Sequence, residues 1–454
     1  MNAFATFAKQ SRLAYLALGS NLGNRAENIR RAVRALESFG RIRETSFLYE
    51  NPPAYVREQG AFLNAACAIE TSLSPLDLLD AVKSVERDLG RMPTFVNGPR
   101  LIDVDIVMYE NVSMRHETLT LPHPRMHERD FVLQPLADLN PSLMHPLLSK
   151  TVLELLSSLN SGDRSLRRVA PRRRNSNELF QWGERTYIMG IINCTPDSFS
   201  DGGQYKNCEE AIDRCVQMLE QEGADMIDIG GESTRPGAAS VDPDVEIQRV
   251  IPVIEGVRRQ SKGVISVDTM HAEVARAAVE AGADIVNDVS AGFADHMMTP
   301  AVAEMGVPLI TMHMRGNPAT MQTMTYYDGN VIESVSTFLK ERSQIGEQQG
   351  VPRWNQILDP GLGFAKTAEQ NIQILRELRV MKERLSGFPL LVGPSRKAFL
   401  GQILHKQQPR DRDYGTAGAV CAAIKNGADI VRVHNVSMMR DAVRVYDALV
   451  RHSS

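Results

Sequence analysis

The chain of 454 residues has few cysteines, no apolar run as long as a membrane span and no marked excess of either charge. Its five cysteines (Cys67, Cys194, Cys208, Cys215, Cys421) are odd in number, scattered, and contain no Cys-x-x-Cys pair. That pattern gives no zinc signature and no disulfide framework, and it suits reduced thiols in a cytoplasm-like compartment. The first twenty residues, "MNAFATFAKQSRLAYLALGS", lack an extended apolar core with a cleavage site and lack a long Arg-rich leader. Cytoplasmic residence without membrane attachment is the expectation. A net charge of -4 argues against a general nucleic-acid binder. What is present, 43% apolar and 23% charged residues, is ordinary for a soluble globular protein, and the length favours two or three domains.

One stretch breaks the globular pattern. "SSLNSGDRSLRRVAPRRRNSNELFQWGERT" is polar and Arg-rich, with no interleaved aromatics to stack on bases. It reads as a solvated linker over residues 161–183, dividing a first domain at 12–160 from a second at 184–454. Beyond it a unit recurs. "EGADMIDIG", "AGADIVND" and "NGADIVRV" each stop a helical pattern at Gly223, Gly282 or Gly427 and begin an apolar run. Eight such runs alternate with amphipathic segments: "TYIMGIIN", "ADMIDIGG", "VISVDT", "DIVNDVS", "PLITMHM", "QILDPGL", "PLLVGPS" and "DIVRVHN". This predicts a (β/α)8 TIM barrel. The first domain reads β-α-β-β-α-β, an α+β ferredoxin-like sandwich. Asn24 with Glu27 predicts a capping box for its first helix; Ser74, Pro75 and Gly90 bound its second.

Polar residues gather where the barrel strands end: Asn193, Thr234 with Arg235, Asp268, Asn287, His313, Asp359, Ser395 with Lys397, and Arg432 with His434. That is the face on which barrels of this kind keep their chemistry. Arg235, Lys397, Arg432 and His434 suit a phosphate or pyrophosphate. Asp268, Asn287 and Asp359 suit a guanidine-like heterocycle edge, reversing the usual Arg–carboxylate pairing. "GLGFAKT" lacks P-loop spacing, and Cys194 has no evident paired base, so neither is assigned chemistry.

Seven ordered motifs, "IMGIINCTPDSFSDGG", "DIGGESTRPGA", "SVDT", "IVNDVSA", "LDPGLGFAKT", "LVGPSRKAFLG" and "RVHNV", closely resemble dihydropteroate synthase over residues 185–454. The resemblance implies that 6-hydroxymethyl-7,8-dihydropterin diphosphate binds deep in the barrel and p-aminobenzoate nearer the mouth. Asp268, Asn287, Asp359 and Lys397 would hold the pterin. Asn193 would contribute to one Mg2+ and to the diphosphate, with Arg235, Arg432 and His434. Thr234, Arg235, Pro236, Ser395, Lys397 and Phe364 would shape the p-aminobenzoate site, where sulfonamides would compete. The pterin-binding methyltransferase barrels, the near relatives to exclude, are not expected to carry "TPDSFSDGG", "STRPG" and "SRK" together. Barrels of this family usually dimerise through their helices, so a homodimer is expected.

In "NGPRLIDVDIVMY", Asp103 and Asp105 lie two apart on a predicted strand, on the face opposite Ile102, Val104 and Ile106. Paired aspartates near Arg91, Arg100, His123 and Arg129 suit a metal–nucleotide site. His123 and His127 are four apart, but the intervening Pro124 and the want of a third nearby ligand argue against zinc. "LALGSNLG", "YENPP", "FLNAA", "GPRLIDVDI" and "LPHPRMHERDFVLQPL" resemble 6-hydroxymethyl-7,8-dihydropterin pyrophosphokinase over residues 13–146. That implies transfer of diphosphate from ATP to the pterin, leaving AMP. By position Asp103 and Asp105 would bind two Mg2+, and Arg91, Arg100, His123 and Arg129 the triphosphate. Asn64 would bind the pterin between Phe62 and Phe131, with Glu86 near the nucleotide. Pro93 stands where many members have a second Arg, and Asn97 where an aromatic is common. These departures sustain one competing reading, an active synthase with a degenerate kinase-like binding domain.

Overall fold

The computed structural model describes residues 11–53, 58–92, 98–159, 166–195, 204–233, 237–238 and 240–451. The chain divides into two compact units. One runs to Pro171 and adds Asn175–Phe180 and Pro352–Trp354; the other holds Arg172–Arg174, Gln181–Val351 and the rest from Asn355.

The first unit contains β1 (Arg12–Ser20), α1 (Arg25–Leu36), β2 (Arg41–Thr45), β3 (Leu48–Asn51), β4 (Phe62–Thr71), α2 (Pro75–Asp88) and β5 (Asp103–Tyr109). A short hairpin, β6 (Met114–Arg115) and β7 (Thr120–Leu121), leads to α3 (Asp130–Leu139). A second, β8 (Met144–His145) and β9 (Lys150–Thr151), leads to α4 (Val152–Ser158). The sheet order β3-β4-β1-β5, with β2 also pairing β4, is the expected antiparallel ferredoxin-like core. Alternation along β1 decides the faces. Ala14, Leu16 and Leu18 pack with Ile29, Leu36, Leu78 and Val82 of α1 and α2. Tyr15 and Ala17 turn instead toward Leu133 and Leu136 of α3 and Leu155 of α4. Ser74 caps α2 in a full capping box with Asp77, and Pro75 opens the helix. At α1 only half the expected box forms: Asn24 accepts from the Glu27 N–H, while the Glu27 carboxylate turns to Arg30.

The Arg-rich stretch corrects the linker reading. Arg167–Pro171 is a strand, β10, paired antiparallel to β3, and β11 (Leu179–Gln181) lies outside it, so both extend the first sheet. Val169, Ala170 and Phe180 are buried, while Arg167 is exposed and Arg168 half-buried. The Arg168 guanidinium lies 3.8 Å over the Phe47 ring and Arg167 meets Glu50 at 3.1 Å. Among so many arginines the strand alternation is hard to see in sequence.

In the second unit the elements are β12 (Tyr187–Asn193), α5 (Gln204–Gln217), β13 (Met226–Gly230), α6 (Pro243–Gln260), β14 (Val264–Asp268), α7 (Ala272–Ala281), β15 (Ile285–Asp288), α8 (Met298–Met305) and β16 (Leu309–Met312). There follow α9 (Val331–Gln348), β17 (Gln356–Asp359), α10 (Ala368–Arg384), β18 (Leu391–Val392), α11 (Ala398–Leu404), α12 (Asp413–Lys425), β19 (Ile430–Val433) and α13 (Val436–Val450). Each of the eight predicted runs is a strand. They pair in parallel in the order β17-β16-β15-β14-β13-β12-β19-β18, and a Leu358–Leu390 bridge joins the ends into a barrel. Gly223 and Gly282 take left-handed backbone at helix ends, as predicted, and Gly427 does so one residue beyond the Asn426 cap.

Candidate active sites

In the first unit, strand register assembles the site. Gly19 of β1 lies opposite both Asn64 of β4 and Asp103 of β5, so the three form a row across the sheet, with Asp105 beside Ala17 one step along. Ile102, Val104 and Ile106 are buried on the opposite face, as the alternation predicts. A pocket opens over this row, lined by Asn64, Asp103 and Asp105 below and by Phe62, Arg129 and Phe131 around it. The Asn64 amide donates to Asn51 Oδ1 at 2.5 Å, which fixes which way it faces.

Asp103 accepts from Arg91 Nη1 at 2.7 Å and from Arg100 Nη1 at 2.6 Å. Burial, and then the neighbouring Asp103 charge, push Asp105 up to about 6. Two adjacent carboxylates whose second charge is resisted form a donor set that a hard divalent cation would relieve, so these residues fit Mg2+. His123 Nδ1 accepts from the Arg125 N–H at 3.2 Å, so the neutral ring carries its proton on Nε2. Burial, and then Arg129, lower its pKa. Glu86, expected at the nucleotide, stands behind the site. Its buried carboxylate holds Arg91, Lys83 at 3.0 Å and the Val104 N–H at 2.8 Å, and so positions Arg91 against the head of β5. Pro93 and Asn97 lie outside the described residues.

Gly19 went unassigned in the sequence. A Cβ there would lie 3.5 Å from Asn64 Oδ1, an ordinary contact, so the backbone tolerates a side chain, while a branched one would take up space in the pocket that Gly19 lines. Gly19→Val is expected to leave the melting temperature nearly unchanged and to reduce kcat/KM for the reaction of this pocket by about 10- to 100-fold through KM. Steady-state kinetics beside a thermal melt would check it.

The barrel site is a cage of charge around Arg432. Its Nε donates to Asp228 at 2.6 Å and its Nη2 to Asp268 at 2.7 Å, while Asn287 Nδ2 donates to Asp228 at 2.9 Å. Arg432 was expected on the leaving diphosphate; here its fork is engaged by Asp228 and Asp268. Asp228, in mid-strand on β13, was missed. Its Oδ1 is buried without a hydrogen-bond partner, which is what a ligand N–H would satisfy. His434, two residues past Arg432, meets Ser395 Oγ through Nδ1 at 2.9 Å. Lys397 lies 4.1 Å over the Phe364 ring, and burial, then Arg432, lower it to about 8. Asn193 ends β12 half-buried, level with Gly230. Thr234, Arg235 and Pro236 lie outside the described residues.

"GLGFAKT" is a turn, and Lys366, also missed, organises it. Its ammonium donates to Gly361 O and Phe364 O, both at 3.0 Å, and contacts His313 Nδ1 at 2.9 Å. Burial and then the Cys208 thiol push Cys194 up to about 12, which removes it as a nucleophile near neutral pH.

Burial raises Asp359 to about 6, against an ordinary value near 3.9. The folded chain therefore keeps a proton that the unfolded chain has already released. This favours folding at low pH and is lost as pH rises through about 6. Asp359→Asn is expected to be more stable than the parent above about pH 7, by up to about 2–3 kcal/mol, and indistinguishable from it below about pH 4. Urea melts across pH would test the sign.

Both units thus present a polar site in which carboxylates and arginines meet, one on an open sheet and one inside a barrel. The family described as pterin binding enzyme matches residues 189–434, and that of 7,8-dihydro-6-hydroxymethylpterin-pyrophosphokinase matches residues 15–141. The mitochondrial folate synthesis bifunctional protein of Arabidopsis thaliana is 42% identical over 463 residues, covering 96% of this chain and 83% of that one. Dihydropteroate synthase of Synechocystis is 51% identical over 273 residues, 60% of this chain and 93% of its own length. A crystal structure of Plasmodium falciparum HPPK-DHPS with pteroate superposes with a TM-score of 0.79 at 22% identity, covering 97% of this chain and 98% of that one, and shows the shared two-domain fold. The chain belongs to the family of bifunctional folate synthesis proteins that join the pyrophosphokinase to dihydropteroate synthase. It spans 59% and 60% of the length of the fol1 proteins of Pneumocystis carinii and Schizosaccharomyces pombe. Among the described residues no helix is long and apolar enough to cross a membrane.

Proposed function

We propose that the chain performs two consecutive transfers. The first unit moves diphosphate from ATP to the hydroxymethyl group of 6-hydroxymethyl-7,8-dihydropterin, releasing AMP. The barrel then joins that pterin diphosphate to p-aminobenzoate, giving 7,8-dihydropteroate and free diphosphate. The carrying observation is the pairing of two complementary sites: the Asp103/Asp105 pair ringed by Arg91, Arg100 and Arg129, and the Asp228–Arg432–Asp268 cage with an unpartnered Asp228 Oδ1.

In the first step Asn64 orients the pterin between Phe62 and Phe131, and Arg91, Arg100, His123 and Arg129 hold the triphosphate in line. Asp103 and Asp105 would hold two Mg2+ there, which supply neutralisation of phosphate charge. In the second, Asp228, Asp268, Asn287, Asp359 and Lys397 bind the pterin. Ser395, Phe364 and Lys397, with Thr234, Arg235 and Pro236, form the p-aminobenzoate wall, where sulfonamides compete. The C–O bond to diphosphate breaks at the pterin methylene carbon, and the aniline nitrogen attacks that carbon and loses a proton. Arg235 and His434 would steady the departing diphosphate, and Asn193 would hold one Mg2+ beside it. A homodimer through the barrel helices and cytoplasmic residence complete the proposal; the free cysteines agree with a reducing compartment.

The two halves are tested separately. Hydroxymethyl-dihydropterin and ATP should give AMP without p-aminobenzoate. Supplied pterin diphosphate and p-aminobenzoate should give dihydropteroate without ATP. Synthase activity without AMP formation would instead support a degenerate first unit.

A further inference from the structure

We propose that Glu232, Glu246 and His271 form a site for a divalent transition cation of the Zn2+ class, at the base of the segment that follows β13. The inference does not depend on the proposed reactions.

Three separate elements deliver the donors. Glu232 lies two residues past the end of β13, Glu246 sits in the first turns of α6, and His271 is the N-cap of α7. One ligand atom from each lies within 4.8 Å of the others. His271 Nδ1 is 2.9 Å from Glu246 Oε2. Donors bound to one tetrahedral zinc at about 2.0–2.2 Å stand roughly 3.3 Å apart. A bound cation would thus replace the His271–Glu246 hydrogen bond and draw in donors that lie within 4.8 Å of one another.

A second observation separates this cluster from a solvated acidic patch. Glu246 is fully buried and its Oε1 has no hydrogen-bond partner; Glu232 is buried as well, and its Oε2 has none. The other Glu232 oxygen, Oε1, accepts a long hydrogen bond from the Val241 N–H at 3.3 Å. Arg249, close enough to be felt by both carboxylates, spends Nη1 on Gly231 O at 2.8 Å. Burial raises the pKa of each glutamate, and Glu246 raises that of Glu232 further. Two buried acids beside one imidazole, each keeping an oxygen without a hydrogen-bond partner, are a donor set that a cation would satisfy.

The donor set selects among cations. Mg2+ prefers oxygen ligands and keeps several waters, whereas imidazole with two carboxylates suits Zn2+. Gly231 makes room for the arrangement, since a Cβ there would lie 2.8 Å from Glu246 Cγ. A bound cation would tie the start of the segment carrying Thr234 and Arg235 to α6 and α7.

The full-length chain, stripped by chelator and held in excess Mg2+ to occupy the Asp103/Asp105 pair, would be titrated with Zn2+ in a calorimeter. Metal content would be read by mass spectrometry after dialysis. One retained equivalent per chain is expected, weakened at least about tenfold in His271→Gln and in Glu246→Gln. Absence of a retained equivalent, or one that survives both substitutions, overturns the proposal. Should either variant fail to fold by circular dichroism, Glu232→Gln takes its place under the same criterion. Co2+ added to the parent should also give a visible absorption that Zn2+ displaces; a featureless spectrum counts against the site.

Discussion

Asp103→Ala is expected to abolish AMP formation, lowering its rate by about 10³-fold or more, while the barrel still converts supplied pterin diphosphate at the parental rate. The size of the effect follows from two duties of one carboxylate. Asp103 faces the pocket beside Asp105, where the cation donors would be, and it also anchors Arg91 at 2.7 Å and Arg100 at 2.6 Å. Removing it takes away a negative donor and releases two guanidiniums that should grip the triphosphate. Asp103→Asn separates the duties, because an amide can still accept from one arginine but carries no charge. A loss in the asparagine variant close to that in alanine would assign the effect to metal binding. Recovery of most activity would assign it to arginine placement. AMP release followed by chromatography, with and without added pterin diphosphate, reads both halves in one sample.

The second large effect is expected at Arg432. Arg432→Met leaves Asp228 and Asp268 facing one another without their shared cation. Burial already raises Asp268 to about 7, partly offset by Arg432. Breaking such a buried pair costs on the order of 3 kcal/mol, because an uncompensated charge remains. Protonation of Asp268 would limit that cost, so the loss should be larger above about pH 7 than below about pH 6. Dihydropteroate formation should fall by more than about 10²-fold at either pH, since the heterocycle cage is gone. Urea melts at two pH values, beside the synthase assay, test the two claims independently. Full synthase activity in a folded Arg432→Met variant would remove Arg432 from the site.

How much of this was legible depends on what each residue had to show. The eight barrel strands are readable because parallel strands buried on both faces are continuous apolar runs, and Gly223, Gly282 and Gly427 punctuate them. Strand-end polar residues were visible for the same reason. Asp228 was not, although an acid between Ile227 and Ile229 in a wholly buried strand is itself a signal. Asp103 and Asp105 could be placed on one face by alternation alone, but which of them holds the arginines needs coordinates. Gly19 has no side chain to announce a role, and its meaning comes from cross-strand register with Asn64 and Asp103. The strand over Arg167–Pro171 was hidden because two arginines precede its buried Val169 and Ala170, and their partners Glu50 and Phe47 are far away in sequence. Glu86, expected near the nucleotide, holds Arg91, Lys83 and the Val104 N–H, and sequence position alone does not distinguish a ligand's partner from that partner's support.

The central claim, two working centres on one chain feeding a single product, is tested most directly by one mixture. The purified chain would receive 6-hydroxymethyl-7,8-dihydropterin, ATP, Mg2+ and p-aminobenzoate, with products followed by mass spectrometry. The account predicts AMP and 7,8-dihydropteroate together, with dihydropteroate never exceeding AMP. Dihydropteroate that forms only when pterin diphosphate is supplied would contradict it, leaving a barrel synthase beside a unit that does no chemistry.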